Sequence, residues 1–167
     1  MAENFQEQDK PTEVGSYFVA NYPPFSVWTP EAVAREGLPA LHRPPVEGIQ
    51  LGMYLHIPFC RKRCHFCYFR VYTDKNAEEV NAYLDTLVAE MEMYSRLEAI
   101  EGRTLDFIYF GGGTPSFLST TQLSSLVSRL NAVMPWNHAE EITFECEPGT
   151  LTDGNAVSSG VTQRSRK

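Results

Sequence analysis

The fold class can be predicted from the segment Leu105-Asp106-Phe107-Ile108-Tyr109-Phe110, which is followed at once by Gly111-Gly112-Gly113. Its aromatic and β-branched side chains favour a strand, and the three glycines predict that the strand stops there. We therefore expect a strand that ends in a tight turn at this point of the chain.

The segments on both sides of this strand predict a regular alternation of helices and strands. Towards the amino terminus, apolar residues recur at helical spacing within residues 77–97, and residues 51–57 form an apolar strand. Towards the carboxyl terminus, residues 120–134 predict a second helix and residues 141–146 a third strand. The order strand, helix, strand, helix, strand is typical of right-handed βαβ units on a parallel sheet, so the predicted fold class is α/β.

This alternating core, residues 49–150, is flanked by two segments of different composition. Residues 1–48 contain seven of the 11 prolines and predict a Pro-rich amino-terminal extension in which long regular elements are disfavoured. Within it, Thr29 and Pro30 predict the cap and first residue of a short helix. Residues 151–167 lack apolar periodicity and predict an atypical tail that is truncated or disordered.

Composition excludes several classes of protein. The chain has 167 residues, a formal net charge of −7 and a balance of 43% hydrophobic to 21% charged residues, which is typical of a chain that buries a core. An acidic pI near 5.1 argues against nucleic-acid binding. No apolar run is long enough to span a membrane, and the four cysteines are not spaced like a disulfide framework. We expect a cytoplasmic protein.

The chemistry concentrates in the segment Cys60-Arg61-Lys62-Arg63-Cys64-His65-Phe66-Cys67, which directly follows the first predicted strand. Its CxxxCxxC spacing allows three thiolates to converge on one metal centre, and soft sulfur ligands select zinc or an iron–sulfur cluster. Zinc would need His56 or His65 as a fourth ligand, and a thiol–disulfide motif formed by Cys64 and Cys67 is another alternative. A [4Fe–4S] cluster on three cysteines accounts for the number of ligands without a fourth.

These residues resemble the signature of the radical S-adenosylmethionine (SAM) enzymes. The segment Tyr54-Leu55-His56-Ile57-Pro58-Phe59-Cys60 is similar to the opening of the oxygen-independent coproporphyrinogen III oxidase-like branch, the HemN/HemW group. The Gly111-Gly112-Gly113-Thr114-Pro115 segment resembles its GGGTP motif, and Glu145 resembles the acidic residue of its third strand. The resemblance covers roughly residues 48–150 and implies a partial (β/α)6 barrel of which about three strands are present.

The resemblance also implies roles for individual residues. It places a [4Fe–4S] cluster on Cys60, Cys64 and Cys67, and SAM on a set of residues that the cluster would face. In that set the glycine turn would hold the methionine end, Glu145 the ribose hydroxyls and Phe66 the adenine, with Tyr54 beside SAM and substrate. The SAM set is Tyr54, Phe66, Gly112, Gly113, Thr114 and Glu145, and Tyr54 is also the candidate catalytic residue.

The reaction that the resemblance implies is reductive cleavage of SAM to a 5′-deoxyadenosyl radical, which abstracts hydrogen from a tetrapyrrole or a similarly large substrate. An electron donor such as flavodoxin or ferredoxin would supply the electron, and the basic residues Arg61, Lys62 and Arg63 are candidates for docking it.

Two alternatives remain open. The decarboxylating oxidases carry another cysteine two positions after the last cluster cysteine, where this chain has Phe69, which argues against coproporphyrinogen decarboxylation itself. The alternatives are a non-enzymatic haem-handling chaperone or structural metal-binding protein, and an inactive fragment that does not turn over a substrate alone. The pattern assigns no role to His56, and Cys146, on the third predicted strand, is expected to be a small buried residue.

Overall fold

The structure is a computed structural model that describes residues 28–67 and 69–147. Residues 28–39 and the described residues from Ala40 onwards belong to two compact units. The predicted tail at residues 151–167 and residues 1–27 of the Pro-rich extension lie outside the described residues. The predicted division at residue 48 stays a prediction.

The short helix predicted in the Pro-rich extension is present. It consists of α1 (Pro30–Ala32), a π-helical turn (Val33–Gly37) and α2 (Leu38–Leu41). The Thr29 hydroxyl accepts a hydrogen bond of 3.1 Å from the Ala32 amide, and proline occupies the first helical position. Both features stabilise a helix amino terminus.

A parallel sheet of three strands forms the centre of the larger unit. The strands are β1 (Gly52–Ile57), β2 (Phe107–Gly112) and β3 (Glu141–Phe144), and they lie side by side in the order β1-β2-β3. Both pairs are parallel, with Tyr54 opposite Tyr109 and Tyr109 opposite Thr143. The predicted α/β fold class is confirmed.

Two helices among the described residues connect the strands, and each begins directly after a capping residue. They are α3 (Ala77–Tyr94) and α4 (Thr120–Val133). Each starts with a capping box, formed by Asn76 with Glu79 in α3 and by Ser119 with Gln122 in α4. No helix among the described residues combines the length and the apolar character needed to cross a membrane.

The hydrophobic core lies on one face of the sheet. Leu55 and Ile57 of β1 and Ile108 and Phe110 of β2 are buried there, together with residues of both helices. The helical contribution consists of Val80, Leu84, Val88 and Met91 of α3 and Leu123, Leu126 and Leu130 of α4. Since side chains alternate along a strand, Tyr54, His56 and Tyr109 belong to the opposite face.

The strands end at different residues from those predicted. Gly111 and Gly112 were expected to stop β2, but they belong to it, because they pair with His56 and Ile57 of β1. β3 ends at Phe144 instead of continuing to Cys146, and Cys146 is exposed. The expectation that Cys146 is buried on a strand is therefore wrong.

Candidate functional site

The cysteine segment forms a loop that is closed at its base. The Cys60 amide donates to the Tyr72 carbonyl at 3.0 Å, and the Tyr72 amide donates to the Pro58 carbonyl at 2.8 Å. Between these points the Arg63 guanidinium donates to the carbonyl of Cys67 at 2.9 Å. These bonds hold the loop at the carboxyl end of β1, where parallel sheets commonly place their sites.

The three cysteines of this loop differ in exposure. All are free thiols; Cys60 is buried, Cys64 is exposed and Cys67 is partly exposed. Burial raises the pKa of the Cys60 thiol, a hydrogen bond from Thr114 at 3.3 Å opposes this, and negative charge on Cys67 and Cys64 raises the pKa further. Cys60 is thus the thiol of this loop that contacts the turn after β2.

The donor set fits a centre held by three sulfur ligands. Three free thiols within eight residues share one loop, and none of them is committed to a disulfide. Within the described residues, however, no three His, Cys, Asp or Glu side chains already form a group that could hold a metal ion. Binding would therefore require the Cys64 and Cys67 side chains to turn towards Cys60.

The glycine turn after β2 packs directly against the residues that precede Cys60. The Gly113 amide donates to the Ile57 carbonyl at 2.8 Å, and the Thr114 amide donates to the Phe59 carbonyl at 2.9 Å. A Cβ atom at Gly113 would lie 2.9 Å from the Phe59 carbonyl oxygen and 3.0 Å from Cys60 Sγ. The close approach that requires glycine here is thus an approach to the chain itself.

Gly112 is restricted in a second way. Its φ of +110° lies in a region that disfavours residues with a Cβ atom, and a Cβ there would come within 2.7 Å of the His56 ring. Glycine at position 112 is therefore required by the backbone conformation and by the neighbouring His56 ring, independently of any ligand.

The Glu145 carboxylate is held by groups of the neighbouring strand. Its Oε1 accepts a 2.7 Å hydrogen bond from the Tyr109 hydroxyl, and its Oε2 accepts a 3.2 Å bond from the Gly112 amide. The Glu145 amide donates to the Phe110 carbonyl at 3.0 Å, which continues the sheet pairing beyond β3. The hydrogen bond from Tyr109, with burial and the carboxylate charge, raises the pKa of Tyr109 to about 12.

Tyr54 lies beside this group on the open face of the sheet. Its ring stacks on that of Tyr109, with centroids 5.8 Å apart, and its hydroxyl lies 3.2 Å from Nδ1 of His56. Burial and, to a smaller extent, the charge of Glu145 raise the pKa of Tyr54. Its side chain is 57% exposed and remains accessible to a ligand.

The structure brings most of the predicted site residues together at one end of the sheet. Thr114 contacts Cys60, Gly112 contacts Glu145, and Tyr54 connects to Glu145 through Tyr109. Phe66 is not part of this arrangement, because it is 76% exposed and packs edge-on against His65 in the cysteine loop. Among the described residues, Cys64 and Cys67 also do not form one group with Cys60.

Two residues of the site, Tyr109 and His56, received no predicted role. The alternation of side chains places Tyr109 on the same face as Tyr54 and Glu145, which is a signal in the sequence. The contact between Tyr54 and Tyr109 also depends on the register that places them opposite each other, and no local sequence pattern predicts that register.

The chain is similar in sequence to two groups of proteins with known functions. No family model matches the chain. The oxygen-independent coproporphyrinogen III oxidase of Escherichia coli (strain K12) is 36% identical over 98 residues, which are 59% of this chain and 21% of that protein. The heme chaperone HemW of Buchnera aphidicola subsp. Schizaphis graminum (strain Sg) is 33% identical over 101 residues, 60% of this chain and 26% of that protein.

A solved structure agrees with these relatives. Coproporphyrinogen III oxidase (HemN) from Escherichia coli, described as a radical SAM enzyme, matches with a TM-score of 0.59 and 30% sequence identity. The match covers 74% of this chain and 29% of that chain, so the present chain spans less than a third of the protein it resembles. Over this partial region the chain is homologous to the HemN and HemW group of coproporphyrinogen oxidase-like radical SAM proteins.

Proposed function

We propose that the chain binds a [4Fe–4S] cluster through Cys60, Cys64 and Cys67 and binds SAM beside it. When bound, these groups would supply one-electron reductive cleavage of SAM and a 5′-deoxyadenosyl radical. The observation that carries the proposal is the meeting of the cysteine loop and the glycine turn, where Thr114 donates to Cys60 Sγ at 3.3 Å.

The chain's own residues have distinct parts in this proposal. The three cysteines hold the cluster, and the glycine turn with Thr114 keeps Cys60 in position through the bonds from Gly113 and Thr114 to the β1 end. Glu145 accepts hydrogen bonds from the ribose hydroxyls, and Tyr54 lies beside SAM and substrate. Phe66, on the exposed cysteine loop, packs on the adenine.

The proposed substrate is a tetrapyrrole or a similarly large molecule, as the names of the relatives indicate for those proteins. The proposed electron donor is a flavodoxin or ferredoxin that docks at the cysteine loop, where Arg61, Lys62 and Arg63 are exposed. An acidic donor surface complements such a basic segment. Substrate and donor are both proposals for a chain that spans 21% to 29% of its relatives.

A second candidate function is haem handling without radical chemistry. It is favoured by the similarity to heme chaperone HemW and by Phe69, which stands where the decarboxylating oxidases have a cysteine. In that case the cysteine loop would keep a structural metal centre.

Anaerobic reconstitution with iron and sulfide, followed by reduction in the presence of SAM, tests the two candidates. The radical SAM function predicts close to four iron and four sulfide per chain and release of 5′-deoxyadenosine. Cluster assembly and haem binding without 5′-deoxyadenosine would favour the second candidate. Stoichiometric zinc with no iron would contradict the cluster itself.

A further inference from the structure

The carboxylate of Glu145 is anchored by the chain on both of its oxygens, and the two donors come from the same strand. The Tyr109 hydroxyl bonds Oε1 at 2.7 Å, and the Gly112 amide bonds Oε2 at 3.2 Å. A glutamate in an exposed position ordinarily samples many rotamers, and ordering it costs free energy. At Glu145 the two hydrogen bonds already order the side chain, so a ligand that binds the carboxylate loses less free energy in ordering it.

An ionised carboxylate offers about four acceptor sites. The contacts from Tyr109 and Gly112 occupy one site on each oxygen, so about two sites remain. A vicinal diol, such as the 2′ and 3′ hydroxyls of a ribose, presents two donors at matching separation. The anchored carboxylate can therefore still accept hydrogen bonds from such a pair of hydroxyl groups.

Tyr109 is suited to act as a permanent donor. Because its partner is a carboxylate, the pKa of Tyr109 is raised to about 12, so the phenol keeps its proton at physiological pH. Its ring is also fixed, since it stacks on Tyr54 at a centroid distance of 5.8 Å. The register that places Tyr109 opposite both Tyr54 and Thr143 puts it between the two outer strands.

We infer that Tyr109 is a positioning residue, which sets the Glu145 carboxylate for the ribose diol through its hydroxyl and orients Tyr54 through its ring. This inference rests on the proposed binding of SAM at Glu145. It adds a residue on the middle strand that ties together two side chains proposed to contact the ligand.

Tyr109→Phe isolates the hydroxyl, because phenylalanine keeps the ring that stacks on Tyr54. In the reconstituted full chain, titration with SAM should show affinity weakened about fivefold, which is modest for a bond to a charged group because the site is exposed. Tyr94→Phe on α3 is the matched control and should leave the affinity unchanged. In a Glu145→Gln background, the hydroxyl has lost its anionic partner, so Tyr109→Phe should add little further loss.

A second measurement reads the position of the carboxylate without SAM. In the cluster-free chain labelled with ¹⁵N-glycine, the amide resonance of Gly112 reports its bond to Glu145 Oε2. It should shift in Tyr109→Phe and in Glu145→Gln but stay in place in Tyr94→Phe.

The outcomes separate this inference from the proposed function. A wild-type chain that binds no SAM contradicts the proposed function, while the Gly112 resonance still decides whether Tyr109 fixes the carboxylate. A wild-type chain that binds SAM, with Tyr109→Phe indistinguishable from Tyr94→Phe in both measurements, overturns the inference alone. An equal loss on the wild-type and Glu145→Gln backgrounds would also overturn it, because the effect would not pass through the carboxylate.

Discussion

The Cys60 thiol has different surroundings from the other thiols of its loop. It is buried and receives a hydrogen bond from Thr114, whereas Cys64 is exposed and Cys67 partly exposed. If the proposed cluster binds here, Cys60 is already held in place and only the Cys64 and Cys67 side chains have to move.

Serine substitutions test the ligand set. Replacing Cys60, Cys64 or Cys67 by serine should abolish the reconstituted cluster, because each removes one of three soft ligands. Cys146→Ser should leave the cluster intact. Iron and sulfide analysis with the absorption spectrum measures the result. Loss of iron in Cys146→Ser, or its retention in Cys64→Ser, would show that the ligand set is different.

The raised pKa values of Cys60 and Tyr109 predict how stability depends on pH in the reduced, cluster-free chain. Folding raises the pKa of the Cys60 thiol above its ordinary value of 9.0 and the pKa of the Tyr109 phenol from 10.0 to about 12. The folded state therefore binds these two protons more tightly than the unfolded state does. Their contribution to the free energy of unfolding is complete below the ordinary values and is lost as pH rises towards the folded values.

Urea unfolding between about pH 7 and about pH 11 should therefore show a declining stability above about pH 9. Tyr109→Phe should make the decline shallower, because one of the shifted groups is gone. Stability that rises with pH over this range would mean that the sign of the shifts is wrong.

The turn between β2 and α4 not only connects these two elements but also binds the end of β1. The amides of Gly113 and Thr114 donate hydrogen bonds to the carbonyl groups of Ile57 and Phe59, so the turn and the start of the cysteine loop support each other. The predicted role of this turn in holding the methionine end of SAM stays a prediction.

Gly113→Ala should destabilise the chain even without cofactors. A Cβ atom would approach backbone oxygens within 3.0 Å, and overpacking of this kind costs about 1–3 kcal/mol. Gly37→Ala is the control, because a Cβ there makes an ordinary 3.6 Å contact with Val33. Thermal or urea unfolding of the cluster-free variants measures the difference. Wild-type stability in Gly113→Ala, combined with lost SAM binding, would instead support a direct contact with the ligand.

At the scale of the whole chain, the two faces of the sheet differ. One face is covered by α3 and α4, and the other presents Tyr54, 57% exposed, and Phe107, 46% exposed. Apolar and aromatic groups exposed side by side on a sheet favour association with another surface.

We expect this face to make the 167-residue chain self-associate reversibly at raised concentration. Phe107→Thr should weaken the association about tenfold, the effect of losing roughly 1–2 kcal/mol of apolar burial. Met93→Thr, at a residue 72% exposed on α3, is the matched control and should leave it unchanged. Sedimentation velocity over a concentration series measures both, and an equal effect of the two variants would place the contact elsewhere.

Much of the fold was predictable because its signals are local. Apolar spacing predicts α3, although the helix ends at Tyr94 and not at residue 97, and α4 begins at residue 120 as predicted. The ends of the strands were less accurate. Gly111 and Gly112 look like a stop, yet their backbone pairs with β1, and pairing is a property of two strands rather than of one segment.

The order of strands and helices and the position of the cysteine loop are predictable from the amino-acid sequence alone, since both follow from residue types at short, fixed spacing. The meeting of Tyr109, Gly112 and Glu145 is a property of the folded sheet. Tyr109 and Glu145 are 36 positions apart, and their side chains touch because the register of three parallel strands brings them together. A register that shifts by one residue would turn Tyr109 to the opposite face, so the site depends on the whole sheet.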